Sequence, residues 1–308
     1  MDEEGGYQRS LKVLNTDQAK IGYLGPKGTF TQEAAYLVFG DGEKVEFVPF
    51  RTILESGQAV LRRQVTMAVV PCENSTEGAV NIVTDFLLTT PTVKICAEVV
   101  LPVRHSLIGV RKVPLTAVKT VVSHPQALAQ CRRWLSRNLG SYAEVEAPST
   151  AYAVENTSQF GNPKTTAAIG TSRAAQLYKR VVLQEGIEDS TTNTTRFWVI
   201  GQRDCSMTGD DKTVVIFLGV SDISIFLRLL GSLTKVLKIN IQRVETRPTK
   251  RTLGTYHFLV EMHGHWSEER FKRLLQIIKE RLPLVKIRVA GSFRSVFPAN
   301  GSVKAATS

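Results

Sequence analysis

The sequence predicts an α/β protein followed by a smaller α+β unit, and its spacing carries that prediction. Strand-length apolar segments lie near 20–24, 45–49, 66–70, 93–101, 105–110, 118–122, 143–146, 166–169 and 196–200, with helical spacing between many of them. Such alternation is the pattern of α/β layering with largely parallel sheets. Residues 203–212, Arg203 to Lys212, are polar and turn-rich and read as a linker. Beyond them, strand 213–219, helix 223–238, strand 239–246, strand 255–262, helix 267–282 and strand 285–291 follow the βαββαβ order of a ferredoxin-like unit. Residues 1–19 and 299–308 read as tails.

Along the chain, the strand Ile21–Leu24 leads into Gly25-Pro26-Lys27-Gly28-Thr29-Phe30. Thr29 and Gln32 have capping-box spacing, and Phe30, Ala34 and Val38 share a face, so a helix starts here. Gly28 allows close backbone approach, and a helix N-terminus offers N–H groups to an anion; the plain alternative is a strand-to-helix turn. After the strand Met67–Val70 comes Pro71-Cys72-Glu73-Asn74-Ser75-Thr76-Glu77-Gly78. Asn74 and Glu77 again have N-cap spacing, ahead of Val80, Val83 and Leu87. Glu73 reads either as a catalytic carboxylate or as an acidic residue favoured near a helix start.

The strand Thr120–Val122 precedes Ser123-His124-Pro125-Gln126, in which Ser123 and Gln126 have capping spacing and Pro125 fits the first turn. Ala127, Cys131 and Trp134 then form a buried stripe. His124 is placed at a strand's carboxyl end and a helix's amino end, where open α/β sheets hold ligands. Ser149 and Thr150, before a helix-like Ala151–Val154, offer a further anion site. Asn193-Thr194-Thr195-Arg196-Phe197 opens the buried run Trp198–Ile200. A hydroxyl, a guanidinium and a ring at a strand's start suit a proton donor, an anion clamp and an apolar wall.

Composition narrows the class. With 43% hydrophobic and 22% charged residues, the 308-residue chain reads as soluble and globular, without a stretch of transmembrane length. Cys72, Cys96, Cys131 and Cys205 lack metal or redox spacing and read as reduced thiols. The acidic start, Met1 to Gly6, argues against a secretory or transit segment. A cytoplasmic location is therefore expected, with a plastid as the alternative for a processed N-terminus. The net charge of +11 is spread in short pairs such as Arg132-Arg133 and Lys250-Arg251, without a basic run interleaved with aromatics. That speaks for a solvated basic surface that also attracts a dianionic substrate, and against nucleic acid or membrane as partner.

Taken together, the motifs at 25–30, 73–78, 123–131, Ser149-Thr150, Ala167-Ala168-Ile169 and 193–197 resemble prephenate dehydratase and its plant relative arogenate dehydratase. The resemblance runs from about residue 20 to 298 and includes a C-terminal regulatory ACT domain carrying Glu245-Thr246-Arg247-Pro248. It implies a two-lobed, periplasmic-binding-protein-like catalytic domain over 20–202, with the chain crossing to the second lobe near Leu101 and returning near Val181. A ferredoxin-like ACT domain over 213–298 would follow.

Prephenate carries a ring hydroxyl opposite a carbon bearing a carboxylate and a pyruvyl arm. Loss of water and carbon dioxide gives an aromatic ring, so the driving force lies in the substrate and neither metal nor organic cofactor is implied. By carry-over, Thr195 hydrogen-bonds or protonates the leaving hydroxyl, with Glu73 and His124 supporting it. Arg196 and the amino ends at Gly28-Thr29 and Asn74-Ser75 bind carboxylates. Phe197 and Gln126 shape the pocket, and Ser149 and Thr150 add an anion site.

In the ACT domain the family's Gly-Ala-Leu element falls, without gaps, on Ile225, Phe226 and Leu227; Ser224 lies one position earlier. The resemblance implies a homodimer or homotetramer with an L-phenylalanine effector held by Glu245, Thr246, Arg247, Pro248 and Ser224. Bulk at Ile225 and Phe226 predicts a weak or altered response. Two other readings remain: arogenate as substrate, and a non-catalytic amino-acid sensor.

Overall fold

The computed structural model describes residues 19–40 and 44–296; the expected tails lie almost wholly outside them. The chain begins with β1 (Ala19–Leu24), α1 (Phe30–Phe39), β2 (Val45–Phe50), α2 (Ile53–Leu61), β3 (Met67–Asn74), the short β4 (Gly78–Ala79), α3 (Asn81–Thr89) and β5 (Lys94–Pro102). It then builds a second lobe from β6 (Ser106–Gly109), β7 (Thr120–Ser123), α4 (Pro125–Asn138), β8 (Ala143–Glu146), α5 (Thr150–Glu155), β9 (Thr166–Gly170), α6 (Ser172–Leu177) and β10 (Val181–Glu185). Strand β11 (Thr194–Gly201) returns to the first lobe. The C-terminal unit comprises β12 (Asp211–Val220), α7 (Ile223–Val236), β13 (Ile241–Pro248), β14 (Tyr256–His263), α8 (Glu269–Arg281) and β15 (Lys286–Val296).

The first sheet runs β2-β1-β3-β11-β5 and the second β10-β6-β9-β7-β8. Within the first, β1, β2 and β3 are parallel, and β11 is antiparallel to both β3 and β5. The carboxyl ends of β1, β3 and β5 therefore share an edge with the amino end of β11. In the second sheet β7, β8 and β9 are parallel, so α4, α5 and α6 all start from one edge. Only Val103–His105 separates β5 from β6, and β6 begins beside the end of β9, Ser106 opposite Gly170. These two edges therefore face each other, which is where open α/β sheets leave a crevice for ligands.

The chain crosses between lobes at 103–105 and 186–193, and the crossings are stitched together. Val103 N–H donates to Asn193 O (2.8 Å) and Ile187 N–H to His105 O (3.1 Å). Glu188 accepts from His105 N–H (2.9 Å) and Arg104 Nη1 (2.8 Å). The return expected near Val181 is thus later, because β10 still pairs with β6. Its apolar run, Val181-Val182-Leu183 ahead of Gln184-Glu185, is too short to announce a strand.

The C-terminal strand order β13-β14-β12-β15 is ferredoxin-like, as expected. Strand β12 begins at Asp211, so the linker is 203–210, two residues shorter than the sequence suggested. One face of this sheet packs on α7 and α8, where Phe217, Phe226, Phe258 and Phe271 are buried. Each such ring contributes about 1.5–3 kcal/mol relative to exposure. The other face shares a core with the first lobe: Val214, Ile216, Leu259, Ala290 and Phe293 pack with Val70, Phe86, Leu87 and Trp198. Strand β15 also pairs in parallel with β5, Ser295 opposite Glu98. The linker divides the chain but not the packing. No helix among the described residues is long and apolar enough to cross a membrane.

Candidate active site

At the shared edge of the first sheet, Thr195 on β11 lies opposite Asn74 at the end of β3 and Leu101 on β5. A β-bulge decides that pairing. Phe197 faces Pro71 but Arg196 faces Glu73, so Cys72 is an extra residue in β3; its thiol donates to Arg196 O at 3.3 Å. Without the bulge Glu73 would sit opposite Thr195. With it, Glu73 joins Arg196 on one face, and Asn74 meets Thr195 on the other, the kind of re-aiming that bulges produce.

The Asn74 amide has a fixed orientation. Its Oδ1 accepts from Thr76 N–H (2.9 Å) and Glu77 N–H (3.1 Å), so Nδ2 must point the other way. Nδ2 donates to Thr195 Oγ1 (2.9 Å), Asn193 Oδ1 (3.0 Å) and Thr194 O (3.2 Å). An amide N–H has only donors to offer, so Thr195 accepts this bond and keeps its own O–H for another acceptor. Ser75 N–H donates to Thr194 O (2.9 Å), and Thr194 N–H to Ser75 Oγ (3.0 Å). The expected helix at Asn74 is absent: the same Asx hydrogen bonds close a turn into β4, and α3 starts later, at Asn81. The amino end assigned to Asn74-Ser75 is therefore a strand turn. Asn193 was not among the residues singled out for chemistry, although it stands in the quoted motif; buried, it completes this network.

Arg196 differs most from expectation. Residues of β11 alternate, and Phe197 and Val199 pack towards α1 while Trp198 and Ile200 pack towards the C-terminal unit. Arg196 follows Trp198. Its Nη1 bonds Glu98 Oε2 (3.0 Å) and both oxygens of Glu261 (3.0 and 2.9 Å), and its Nη2 bonds Glu73 Oε2 (2.5 Å). Its half-buried guanidinium is engaged by three carboxylates on the face away from Thr195, which takes it out of the expected clamp position. Glu73 is bound to Arg196 and near Arg243 (3.5 Å), which removes it from Thr195's side of the sheet. Phe197 is 1% exposed among Ala34, Val38 and Val99, a core residue instead of a pocket wall.

The other calls divide. Thr29 caps α1, accepting from Gln32 N–H (3.3 Å) and donating to Leu24 O (2.7 Å). Gln32 Oε1 accepts from Gly28 N–H (2.6 Å), so these groups are engaged within the loop and do not offer the expected anion cradle. Gly28 has φ +87°, and a Cβ there would meet Ala174 Cβ at 3.0 Å. Its loop presses on α6: Thr171 Oγ1 donates to Gly28 O (3.3 Å) and Tyr178 OH to Lys27 O (2.8 Å). Arg173 stacks over Tyr36, and Phe30 meets His105 edge-on, so the lobes touch beside the crevice.

On the second lobe His124, not Ser123, caps α4. His124 Nδ1 accepts from Gln126 N–H (3.3 Å), whereas Ser123 Oγ donates to Ile169 O (2.8 Å). With Nδ1 occupied by the cap, Nε2 is the ring nitrogen left for another partner. Ala127 and Cys131 are buried as expected; Leu135, with half-buried Trp134 beside it, completes the stripe. Ser149 caps α5, accepting from Tyr152 N–H (3.1 Å), with Thr150 in the first turn. The crevice thus receives Thr195 and Asn74 from one lobe and the amino ends of α4 and α5, with His124, Gln126, Ser149 and Thr150, from the other. Among the described residues no group of three or more His, Cys, Asp or Glu is arranged to hold a metal.

The residues expected to hold an effector lie elsewhere. Glu245, Thr246, Arg247 and Pro248 follow one another along β13, and Ser224 is exposed in the first turn of α7. Glu245 accepts from Arg243 (2.7 Å), and Arg247 makes a two-pronged bond to Asp85 on α3 (2.8 and 3.0 Å). Phe226 is wholly buried against Phe217 and Phe258, so its bulk fills the core, whereas Ile225, 50% exposed, stands at the surface.

The Asp85 link gives a pH expectation. Hydrogen bonding from Arg247 holds the Asp85 carboxyl below the usual range. A depressed folded pKa means that its stabilisation is present above the unfolded value, near 3.9, and lost as pH falls through the folded one. Asp85→Asn should therefore lower the denaturation midpoint at pH 7 and converge with the parent protein in acid; parallel midpoints at all pH values would show the link to be idle.

The chain is similar to known proteins in both sequence and fold. The family model described as prephenate dehydratase matches residues 21–205. A bifunctional chorismate mutase/prephenate dehydratase of Aquifex aeolicus (strain VF5) is 38% identical, over 87% of this chain and 72% of that protein. The prephenate dehydratase of Methanocaldococcus jannaschii is 33% identical, over 86% of this chain and 95% of its own. The solved prephenate dehydratase of Arthrobacter aurescens in complex with L-Phe superposes with a TM-score of 0.79, at 29% identity and 89% coverage of each chain.

Proposed function

The chain belongs to the prephenate dehydratase family, and we propose that it converts prephenate to phenylpyruvate, a carbon–oxygen lyase reaction, with Thr195 serving the departing hydroxyl. The observation that carries this reading is the Asn74–Thr195 pair: an amide locked as donor leaves the threonine O–H to be given to another acceptor at the crevice edge. As the ring C–O bond breaks, the hydroxyl leaves as water with a proton delivered through Thr195. The C–C bond to the carboxylate breaks in the same sense, its electron pair completes the aromatic ring, and carbon dioxide departs. A threonine is too weak an acid to act freely, so it serves as a positioned donor and relay whose proton is made good from solvent, with His124, its Nδ1 occupied as the α4 cap, proposed to support it by hydrogen bonding from Nε2. The first two N–H groups of α5, on Thr150 and Ala151, precede the Tyr152 N–H that Ser149 caps and suit a carboxylate, with Ser75, Gln126 and Ser149 around the substrate. No step requires a metal or an organic cofactor.

Purified protein given prephenate should release phenylpyruvate, and a chelator should leave the rate unchanged. Arogenate, with an amine for the keto group, is run in parallel; higher kcat/KM there would reassign the substrate, and turnover of neither would make the chain a sensor. Free Cys72, Cys96, Cys131 and Cys205 suit the reducing cytoplasm in which we place it. A second copy is proposed at the C-terminal unit, where Ile225, Leu227 and Val244 are exposed apolar residues. L-phenylalanine remains the proposed effector there, supported by the relative solved with that ligand.

A further inference from the structure

Seven ionisable groups meet between the catalytic sheet and the C-terminal unit, and none of them faces the crevice side of β11. Arg196 binds Glu73, Glu98 and Glu261; Lys212 Nζ binds Glu98 Oε1 (2.8 Å) and lies 3.6 Å from Glu261; Arg243 pairs with Glu245 and lies 3.5 Å from Glu73. Glu98 and Glu261 have side chains 1% and 3% exposed, and Arg196 14%. Charges in such a place are stable only when fully paired; removing one partner leaves another buried and uncompensated.

Three strands of different parts of the chain supply the carboxylates to Arg196: β3, β5 and, from the C-terminal unit, β14. Two of the tied residues neighbour the catalytic pair in sequence. Glu73 precedes Asn74 and Arg196 follows Thr195, at the bulge that sets Asn74 against Thr195. The guanidinium is a rigid planar fork, so its partners fix where it sits and thereby fix the backbone that carries it.

We propose that Glu261 is a positioning residue for the dehydration: from the C-terminal unit it holds Arg196, and through Arg196 and Glu73 it sets the Asn74–Thr195 hydrogen bond. The reaction therefore depends on a side chain of the C-terminal unit of the same chain. This inference rests on the reading of Thr195 given above. Hydrophobic packing alone would join the two units equally well, and buried ion pairs are poor stabilisers compared with apolar residues of similar volume. A cluster of this size at the back of the catalytic strand is better suited to fixing geometry.

The test uses the full-length protein carrying Glu261→Gln, which keeps the shape and removes the charge. In the kinetic arm kcat for prephenate should fall about tenfold, the scale of coupling carried by such networks, with KM within about twofold. Glu261→Asp, which keeps the charge, should recover most of the loss. In a Thr195→Ala background the Gln substitution should add nothing, because the hydroxyl it positions is gone. In the exchange arm the Ser75 and Thr194 amides should exchange faster, while the Tyr23 amide of β1 is unchanged. If Glu261→Gln does not fold, Lys212→Gln replaces it, with the same split expected.

A loss that multiplies with Thr195→Ala, a change in KM alone, or uniform loosening of all amides would overturn the proposal and leave the cluster as mere interdomain glue. Absence of prephenate turnover in the parent protein would instead count against the proposed function. The exchange arm would then decide the positioning claim by itself.

Discussion

Thr195→Ala is expected to lower kcat by about 10²–10⁴-fold, the range for loss of a positioned proton donor, with KM changed by no more than about threefold. Thr195 is half-buried at the amino end of β11, and its Oγ1 is fixed as an acceptor by Asn74 Nδ2 at 2.9 Å. A hydroxyl held in this way contributes little until the substrate's own hydroxyl begins to carry negative charge. Its interaction is stronger in the transition state than with bound substrate, and losing it lowers kcat and kcat/KM together. Truncation removes the hydrogen bond from Asn74 at a half-buried position, so the fold should survive with a small shift in denaturation midpoint. Steady-state kinetics with prephenate check it. A loss confined to KM would mean that Thr195 only binds substrate, and parent-like kinetics would remove it from the reaction.

The features that were legible beforehand are those written in neighbouring residues. Thr29, Ser149 and Pro125 mark helix starts because a cap and the turn it closes are within three residues of each other. The βαββαβ order was legible for the same reason, since each element declares its own period. What escaped was set at a distance. One extra residue at Cys72 leaves no trace in composition, yet it decides whether Glu73 or Asn74 faces Thr195. The partners of Arg196 lie 98 and 65 positions away, on β5 and β14, and nothing near Arg196 names them. Asn74 makes the hydrogen bonds of a helix cap while closing a strand turn, so its local signature was ambiguous. One error was avoidable. Strand alternation puts Thr195 and Arg196 on opposite faces, so adjacent residues of β11 were poor candidates for one pocket.

Asn74→Asp is the sharper test of how the hydroxyl is aimed, because it changes one atom and reverses a donor. The aspartate can still accept from Thr76 N–H and Glu77 N–H, which holds the side chain where the amide was. Its second oxygen then occupies the place of Nδ2, beside Thr195 Oγ1, Asn193 Oδ1 and Thr194 O, all formerly acceptors. A carboxylate there accepts and cannot donate. Thr195 must turn its O–H inward to satisfy it, and the proton that faced the crevice is withdrawn from the substrate. Asn193 Oδ1 and Thr194 O face like charge, and a buried acceptor left unpaired costs about 1–3 kcal/mol, so the denaturation midpoint should fall as well. The kinetic loss should approach that of Thr195→Ala, about 100-fold or more in kcat, even though the threonine is intact. Combined with Thr195→Ala it should add little, since both changes remove the same outward proton. Full activity in Asn74→Asp would mean that the outward orientation of the hydroxyl has no part in the reaction, and a loss that multiplies with Thr195→Ala would give Asn74 a separate role on the substrate.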